Sequence, residues 1–233
     1  MKFIITGDPE DLSRRLPSAS EMGRTIEWSV VPVLAFEPVE ISMEITSRLE
    51  SFRPDWMIFM SPRGVSFANQ WLLSTPFEVP VTTRIACIGN RTRELAEQEG
   101  WEVNFSPDQS GSEGFLEEFV SLLSPSSQVL IPCALNSREL IFESLTQRGN
   151  RVLAVPVYRT VPNIRLQEVP QADGAVFTSP SSYEAFRSRW PMVLKKLRLF
   201  ALGTYTETRM KADGLTSVSL IPKGDLQRIG EVL

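Results

Sequence analysis

Two loops in this sequence have the residue types that bind anions where a helix begins. Ser61-Pro62-Arg63-Gly64 follows the apolar run Trp56–Met60, and Ser179-Pro180-Ser181 follows Ala175–Thr178. Serine is a favoured helix N-cap and proline a favoured first helical residue. A helix start offers unpaired N–H groups and the positive end of the helix dipole, and Arg63 adds a guanidinium. The loops therefore predict carboxylate or phosphate binding, with helix capping alone as the alternative.

A second pair of loops repeats this arrangement. Gly89-Asn90-Arg91-Thr92 and Gly203-Thr204-Tyr205-Thr206 each place a glycine at a strand end and hydroxyl or amide residues at the start of a helix. Neither loop has the lysine of a P-loop or the GxGxxG pattern of a dinucleotide fold, so nucleotide binding is poorly supported. Four helix starts of this kind favour a ligand with several carboxylates.

These loops belong to an internal duplication. The segment Asp55–Phe67, DWMIFMSPRGVSF, is echoed 118 residues later by Asp173–Ala185, DGAVFTSPSSYEA, and Ile85–Leu95 is echoed 114 residues later by Leu199–Arg209. The nearly constant offsets indicate that whole structural units were copied in order. Further matches are KFIITG with QVLIPC and VVPVLAFEPV with AVPVYRTVPN. Gly100 and Gly214 are predicted to end equivalent helices, a position at which glycine is favoured as a C-cap.

Composition limits the chemistry that these loops can perform. The chain has 233 residues and no histidine, which removes the commonest general base and most transition-metal sites. Cys87 and Cys133 lie far apart without a CxxC pair, so the sequence predicts neither a disulfide framework nor a zinc site. The net charge is −4 and basic residues are scattered, which argues against a nucleic-acid partner.

The same composition predicts a cytoplasmic, monomeric protein that does not enter membranes. The apolar share is 42% and the charged share 22%, as in ordinary globular proteins. Thr6, Gly7 and Asp8 interrupt the first apolar run before a signal region can form, and Trp56–Met60 is too short to span a bilayer. Even surface charge and the lack of heptads favour a monomer.

Hydrophobic patterning predicts alternating strands and helices. Short apolar runs bounded by turn residues predict strands buried on both faces. They are Lys2–Ile5, Trp28–Leu34, Trp56–Met60, Ile85–Ile88, Glu102–Phe105, Val129–Ile131, Val152–Val157, Ala175–Thr178, Leu199–Leu202 and Ser217–Ile221. Predicted helices lie at Ile41–Phe52, Val65–Leu73, Arg93–Glu99, Glu113–Leu123 after a Ser112 cap, Ser137–Arg148, Tyr183–Trp190, Thr206–Ala212 and Leu226–Val232.

This alternation predicts an α/β fold of two flavodoxin-like, doubly wound parallel-sheet domains joined by a two-segment linker. The linkers are the extended, proline-ended stretches 34–38 and 158–162. Domain 1 then comprises 1–33 plus 163–233, and domain 2 comprises 39–157. Periodicity alone does not separate this interleaved arrangement from two consecutive halves.

The SP loops, the Gly-x-x-Thr loops and the VYRTVP stretch together resemble the uroporphyrinogen-III synthase family, from Lys2 to about Glu231. The resemblance implies a cyclising lyase that uses no metal or organic cofactor. Its substrate is hydroxymethylbilane, a linear tetrapyrrole with eight carboxylates. The implied reaction loses the terminal hydroxyl as water, and the opposite end ring (D) then attacks through its substituted carbon. A spiro intermediate forms, and reopening and reclosure invert that ring.

The resemblance also implies roles for particular residues. Tyr158 matches a tyrosine proposed to donate a proton to the leaving hydroxyl; its alternative role is an aromatic packed at the linker. Arg138 and Arg159 are weaker candidates for carboxylate binding. The residues implied to bind substrate are Ser61, Arg63, Gly64, Asn90, Thr92, Ser179, Ser181, Thr204 and Thr206.

Two other functions stay open on the sequence alone. The first is a non-catalytic two-lobed binding module for a polycarboxylate or tetrapyrrole ligand, because a fold does not determine function. The second is a domain that acts mainly as partner to another enzyme of tetrapyrrole synthesis. Within the synthase hypothesis, hand-over of substrate from the preceding bilane-forming enzyme is a further expectation.

Overall fold

The computed structural model describes residues 1–9, 12, 15–17, 26–109, 111–137 and 140–233. The chain divides into two compact units. Unit 1 consists of Met1–Ala35 together with Val161–Leu233, and unit 2 is Phe36–Thr160. Each unit contains one predominantly parallel sheet with helices, which confirms the predicted α/β class.

The secondary structure alternates as the apolar runs predict. The strands are β1 Lys2–Thr6, β2 Glu27–Val31, β3 Leu34–Pro38, β4 Trp56–Phe59, β5 Arg84–Cys87, β6 Val103–Phe105, β7 Gln128–Ala134, β8 Arg151–Pro162, β9 Gly174–Phe177, β10 Arg198–Ala201 and β11 Val218–Leu220. The described α-helices are α1 Met43–Glu50, α2 Pro62–Ser74, α3 Asn90–Gln98, α4 Ser112–Phe119, α5 Leu140–Gln147, α6 Pro180–Arg189, α7 Pro191–Leu194 and α8 Thr204–Ala212. Single 3-10 segments lie at Val120–Leu122, Pro222–Gly224 and Leu226–Glu231.

The sheet of unit 1 has the strand order β11-β10-β9-β1-β2, and all of its strand pairs are parallel. Numbered by their order along the chain within this unit, the strands run 2-1-3-4-5 across the sheet. This is the flavodoxin-like arrangement, in which ligands bind beyond the carboxyl ends of the strands.

The sheet of unit 2 has the order β3-β8-β7-β4-β5-β6, and its pairs from β4 to β8 are parallel. Counted from β7, the five strands β8-β7-β4-β5-β6 repeat the 2-1-3-4-5 order. Unit 2 is therefore a circular permutation of unit 1 with one strand, β3, added beside β8. The duplicated sequence segments agree with this equivalence, because the segment of β1 matches that of β7 and the segment of β4 matches that of β9.

Both faces of each sheet are covered, as continuous apolar strands require. In β4, Met57 and Phe59 pack with α1, α2 and α3, whereas Trp56 and Ile58 pack with α4 and α5. All four side chains are buried. Because β4 and β5 are neighbouring parallel strands, the loops that follow them lie at one edge of this close-packed layer.

Two helices end at equivalent glycines, as the duplication predicts. Gly100 follows α3 with φ +91° and Gly214 follows α8 with φ +84°. The N–H groups of the next residues, Trp101 and Leu215, donate to carbonyls in the last turn of their helices. Glycine is the residue that adopts this left-handed conformation without strain.

Besides shifts in where elements begin and end, three predicted features differ from the structure. The run Trp28–Leu34 is divided into β2 and β3, because Pro32 has no N–H to donate to a sheet. Ser112 is the first residue of α4 rather than its cap; the N-cap is Gly111, at φ +122°. The C-terminal segment Leu226–Glu231 is a 3-10 helix rather than an α-helix.

Candidate active site

Tyr158 is directed to the α2 face of the unit 2 sheet by an irregularity in strand pairing. The β7–β8 register pairs Cys133 with Pro156 and then Ala134 with Tyr158, so that Val157 has no partner residue on β7. Strict alternation would place Tyr158 on the face opposite Val157. Instead both side chains belong to one core cluster, because an extra residue in a strand redirects the side chains that follow it.

The Tyr158 side chain is nearly buried among aromatic rings, with 9% of its surface exposed. Its ring stacks on Phe67, with centroids 5.0 Å apart, and meets the edge of Phe36 at 6.2 Å. Its hydroxyl lies 3.3 Å from Ser61 Oγ, and either atom can donate. The phenol is therefore held in one orientation at the start of α2.

The first SP loop supplies that helix start. Ser61 is the N-cap of α2, its Oγ accepts from the Gly64 N–H at 3.0 Å, and Pro62 is the first helical residue. The Arg63 guanidinium carbon lies 3.8 Å from the centroid of the Phe36 ring. The structure thus brings Ser61, Arg63 and Gly64 together with Tyr158.

The second loop of unit 2 lies at the same sheet edge, because β4 and β5 are neighbouring parallel strands. Gly89 is the N-cap of α3 and Asn90 is its exposed first residue. Thr92 is only 3% exposed. A role for Thr92 in binding would therefore depend on backbone N–H groups of the loop rather than on its hydroxyl.

Unit 1 uses its SP loop differently. Ser179 and Ser182 form a reciprocal capping box at α6, with N···O distances of 3.1 and 3.2 Å. The Thr6 hydroxyl donates to Ser182 Oγ at 2.9 Å, and Ser182 is 1% exposed. Ser181 is exposed and is not part of this buried hydroxyl cluster.

At the other unit 1 loop, Thr204 is exposed as the first residue of α8, and Thr206 is 2% exposed. Of the two weaker arginine candidates, Arg159 forms an exposed ion pair with Glu37 at 2.9 Å. Arg138 lies outside the described residues.

Four residues of these sites were missed by sequence reasoning. Ser182 had a usable signal, because a serine three positions after an N-cap serine can close a capping box. Thr6 and Phe36 had none, since each is brought to its site by tertiary packing from a distant part of the chain. Phe67 lies one turn after Arg63 in α2, but its contact with Tyr158 also depends on tertiary packing.

The described part of the chain offers neither a reactive thiol nor a metal-binding cluster. Burial is the main cause that raises the pKa of Cys87 to about 12, and burial also raises the pKa of Cys133. No group of three or more histidine, cysteine, aspartate or glutamate side chains lies together among the described residues. In the same residues, none of the helices has the length and apolar character needed to span a bilayer.

The fold and these sites define a class: a duplicated, flavodoxin-like α/β protein whose units each present helix N-termini at the carboxyl edge of a parallel sheet. Such an edge binds anionic ligands. In unit 2 it also holds a tyrosine hydroxyl, which can donate a proton and does not act as a strong base at neutral pH.

Comparison with known proteins identifies the family. Residues 20–225 match the model of "Uroporphyrinogen-III synthase HemD". A protein of Methanothermobacter thermautotrophicus, provisionally named a uroporphyrinogen-III synthase, is 26% identical over 208 residues, which cover 82% of this chain and 81% of that protein. This chain belongs to the uroporphyrinogen-III synthase family. It is an enzyme that cyclises hydroxymethylbilane to uroporphyrinogen III.

Solved structures share the fold. The uroporphyrinogen-III synthetase of Helicobacter pylori superimposes with a TM-score of 0.64 at 16% identity, covering 100% of this chain and 98% of that one. A mutant uroporphyrinogen III synthase of Thermus thermophilus superimposes with a TM-score of 0.54 at 18% identity, covering 99% and 97%. These likenesses support the two-domain flavodoxin-like fold.

Proposed function

We propose that this enzyme forms uroporphyrinogen III by inverting the terminal (D) ring through a spiro intermediate, and that Tyr158 donates the proton that releases the substrate hydroxyl. The observation that carries this assignment is the Tyr158 hydroxyl, which is oriented by two aromatic rings and lies 3.3 Å from Ser61 Oγ at a helix start. A phenol donates a proton more readily than the Ser61 hydroxyl does, and Pro62 and Gly64 have no side-chain donor.

The proposed steps balance without a cofactor. The Tyr158 O–H protonates the terminal hydroxyl, which leaves as water and converts the end ring to an electrophilic azafulvene. The opposite ring attacks through its substituted carbon, which forms the spiro intermediate. The older bond from that carbon to its methylene bridge then breaks, and the freed methylene, now part of a second azafulvene, bonds to the unsubstituted α carbon of the same ring, which inverts the ring. The proton lost from the final bonding carbon as its pyrrole regains aromaticity balances the one that Tyr158 donated.

Ser61 assists this step by stabilising the phenolate that remains after proton donation. Its hydroxyl can donate to Tyr158 while its lone pairs accept from the Gly64 N–H. The nearby positive end of the α2 dipole favours the same negative charge.

The substrate carboxylates are assigned to the helix starts and to Arg63, whose planar guanidinium binds a carboxylate through two hydrogen bonds. For the buried Thr92 and Thr206, the assigned donors are backbone N–H groups at the starts of α3 and α8, other than the Thr92 N–H, which already donates to the Gly89 carbonyl at 3.0 Å. The full set comprises Ser61, Arg63, Gly64, Asn90 and Thr92 in unit 2, and Ser179, Ser181, Thr204 and Thr206 in unit 1.

We further propose the organisation of the working enzyme. Domain 1 spans 1–33 and 163–233, domain 2 spans 39–157, and 34–38 with 158–162 form the linker. Free, buried Cys87 and Cys133 suit the reducing cytoplasm. The enzyme acts as a monomer that receives hydroxymethylbilane from the preceding bilane-forming enzyme.

Product analysis tests the reaction. Freshly generated hydroxymethylbilane is supplied to the purified protein, and the oxidised products are resolved by chromatography into type I and type III uroporphyrin. Predominantly type III is expected, because unassisted cyclisation of the bilane proceeds without inversion. Type I alone, formed at the uncatalysed rate, would contradict the proposal and return attention to a binding module, an alternative that the family assignment does not favour.

A further inference from the structure

We propose that Phe36 is a positioning residue that orients both Arg63 and Tyr158. This inference rests on the proposed function, in which Arg63 binds a substrate carboxylate and Tyr158 donates the proton. It goes beyond that function because it assigns the geometry of both groups to one aromatic ring on β3, a strand that carries none of the proposed substrate contacts.

The contact between Phe36 and Arg63 has cation–π geometry. The guanidinium carbon lies 3.8 Å from the ring centroid, well inside the roughly 6 Å limit of this interaction. A guanidinium stacked by one flat face on a ring can bind a carboxylate in its own plane, which is the geometry in which arginine binds carboxylates. Phe36 thus orders a long, flexible side chain before substrate arrives, which reduces the entropy cost of binding.

The same ring packs against Tyr158. The two centroids are 6.2 Å apart with an interplanar angle of 67°, an edge-to-face arrangement that aromatic pairs prefer. Phe67 stacks on Tyr158 with an interplanar angle of 18°, so Tyr158 is held by two rings in different orientations. Phe36 in addition contacts the Arg63 guanidinium.

Phe36 lies on a strand, outside the loop that carries Arg63. β3 lies beside β8, the strand that carries Tyr158, whereas Arg63 belongs to the first turn of α2. Phe36 is half-buried and packs against the unit 2 core. The ring therefore connects the strand that holds the proposed acid with the helix that holds the proposed carboxylate ligand.

A mutant cycle tests the proposal with steady-state kinetics on hydroxymethylbilane. Phe36→Leu, which keeps apolar volume but removes the π face, is expected to raise KM about three- to tenfold and to lower kcat about two- to fivefold. Phe36→Trp should restore KM, because indole is a stronger cation–π partner. In an Arg63→Met background, Phe36→Leu should leave KM unchanged, since the guanidinium that Phe36 orients is gone.

Phe77→Leu is the matched structural control. Phe77 is also half-buried in unit 2, and its ring stacks on Trp71 with centroids 5.8 Å apart. Phe77→Leu therefore removes a comparable aromatic contact away from the site. KM is expected to stay at the wild-type value in this variant. A readout independent of turnover is the Arg63 Nε–Hε resonance in NMR spectra, which should lose its ring-current shift in Phe36→Leu and regain it in Phe36→Trp.

The outcomes separate this inference from the proposed function. If Arg63→Met raises KM and Phe36→Leu does not, the positioning role is wrong and the carboxylate role stands. An equal rise in KM from Phe36→Leu with and without Arg63 also overturns the positioning role. If Arg63→Met itself leaves KM unchanged, the carboxylate role of Arg63 fails, and the inference fails with it.

Discussion

The two SP loops begin their helices with the same cap but use it for different purposes. Ser61 and Ser179 both accept a hydrogen bond from the N–H three residues later. In unit 1 that residue is Ser182, whose hydroxyl completes the capping box and also accepts from Thr6. In unit 2 it is Gly64, and the cap hydroxyl contacts Tyr158 instead.

The strand segments that contain Leu34 in unit 1 and Tyr158 in unit 2 differ as well. Aligning the duplicated segments VVPVLAFEPV and AVPVYRTVPN places Leu34 of unit 1 at the position of Tyr158. Leu34 packs against the unit 1 core and has no hydroxyl to offer a cap. The same serine N-cap therefore stabilises a helix in unit 1, whereas in unit 2 it also contacts Tyr158, the residue to which we assign proton donation.

The largest expected effect comes from removing the group that distinguishes unit 2. Tyr158→Phe should lower kcat at least tenfold, because the ring still packs on Phe67 while the proton donor is lost. Tyr183→Phe, which removes a buried phenol of unit 1, is the control and should turn over normally. Thermal unfolding of both variants shows whether they are folded, and wild-type kinetics in Tyr158→Phe would rule out the acid role.

A paired alanine substitution separates the two uses of the cap. Ser182→Ala should lower the free energy of unfolding by about 1–2 kcal/mol, because it removes the reciprocal cap and one of two acceptors of the buried Thr6 hydroxyl, which keeps the Val176 carbonyl oxygen at 3.3 Å. Its kcat should not change. Ser61→Ala should cost about 1 kcal/mol as a lost N-cap and also lower kcat several-fold, because Tyr158 loses its partner.

Urea unfolding and steady-state kinetics on the same two proteins give both quantities. The proposed difference between the two caps would be wrong if Ser182→Ala reduced kcat as much as Ser61→Ala does. It would also be wrong if Ser61→Ala affected stability alone, since Ser61 would then be a cap of the same kind as Ser179.

Gly64→Ser converts the unit 2 cap toward that of unit 1. A Cβ at Gly64 would lie 3.4 Å from Ser61 Oγ and 3.5 Å from the Pro132 carbonyl oxygen, which are ordinary contacts. We expect stability to rise by up to about 1 kcal/mol, from the loss of glycine in a helix and a new reciprocal cap. KM should increase, because the new hydroxyl competes with a substrate carboxylate for loop N–H groups.

The control for this change is Gly64→Ala, which adds the Cβ without a hydroxyl. It should give a similar gain in stability with a smaller change in KM. Equal KM values in the wild type and both variants would show that no carboxylate binds at this helix start.

The sequence was sufficient for most of the fold because the duplication repeats local signals. Buried strands read as continuous apolar runs, and the glycines Gly100 and Gly214 end their helices at left-handed positions as predicted. The division of Trp28–Leu34 into two strands was missed, although Pro32 carries the signal. Helix starts were predicted a few residues late, since the SP and Gly-x-x-Thr segments are themselves the first helical turns.

The candidate site was predictable only in part. The duplicated loops indicated which helix starts lie at a sheet edge, and the structure places Ser61, Arg63, Gly64 and Tyr158 together. The direction of the Tyr158 side chain depends on the register between β7 and β8, where Val157 has no partner. Register is a property of tertiary pairing, so no local pattern reports it.

The two units also have a contact between two helices at equivalent positions, but its chemistry differs between them. The smallest predicted effect concerns this contact. Arg187 Nη1 pairs with Asp213 Oδ2 at 2.7 Å in unit 1. At the equivalent positions of unit 2, Asn69 Nδ2 donates to Glu99 Oε2 at 3.0 Å. An ion pair between two helices in one unit thus corresponds to an amide–carboxylate hydrogen bond in the other.

Acid titration should distinguish these two contacts. Partial burial acts to raise the pKa of the Asp213 carboxyl, but the hydrogen bond from Arg209 and the charge of Arg187 outweigh it, so its pKa lies below the usual value. A lowered native pKa stabilises the fold above the unfolded-state pKa, about 3.9, and this stabilisation is lost as pH falls through the native value. Asp213→Asn should therefore reduce Tm slightly at pH 7, and the difference from wild type should shrink as pH falls below the unfolded-state pKa and through the lowered native pKa.

Glu99→Gln is the matched change in unit 2. It keeps an oxygen acceptor for Asn69 while removing one negative charge, so Tm at pH 7 should fall less than in Asp213→Asn. Thermal scans of both variants and the wild type at low and at high salt complete the test, because screening weakens the ion pair more than the amide hydrogen bond. If Asp213→Asn lowered Tm by the same amount at pH 7 and at a pH below the lowered native pKa of Asp213, its contribution would come from packing and polar contacts rather than from charge. The two helix pairs would then be equivalent.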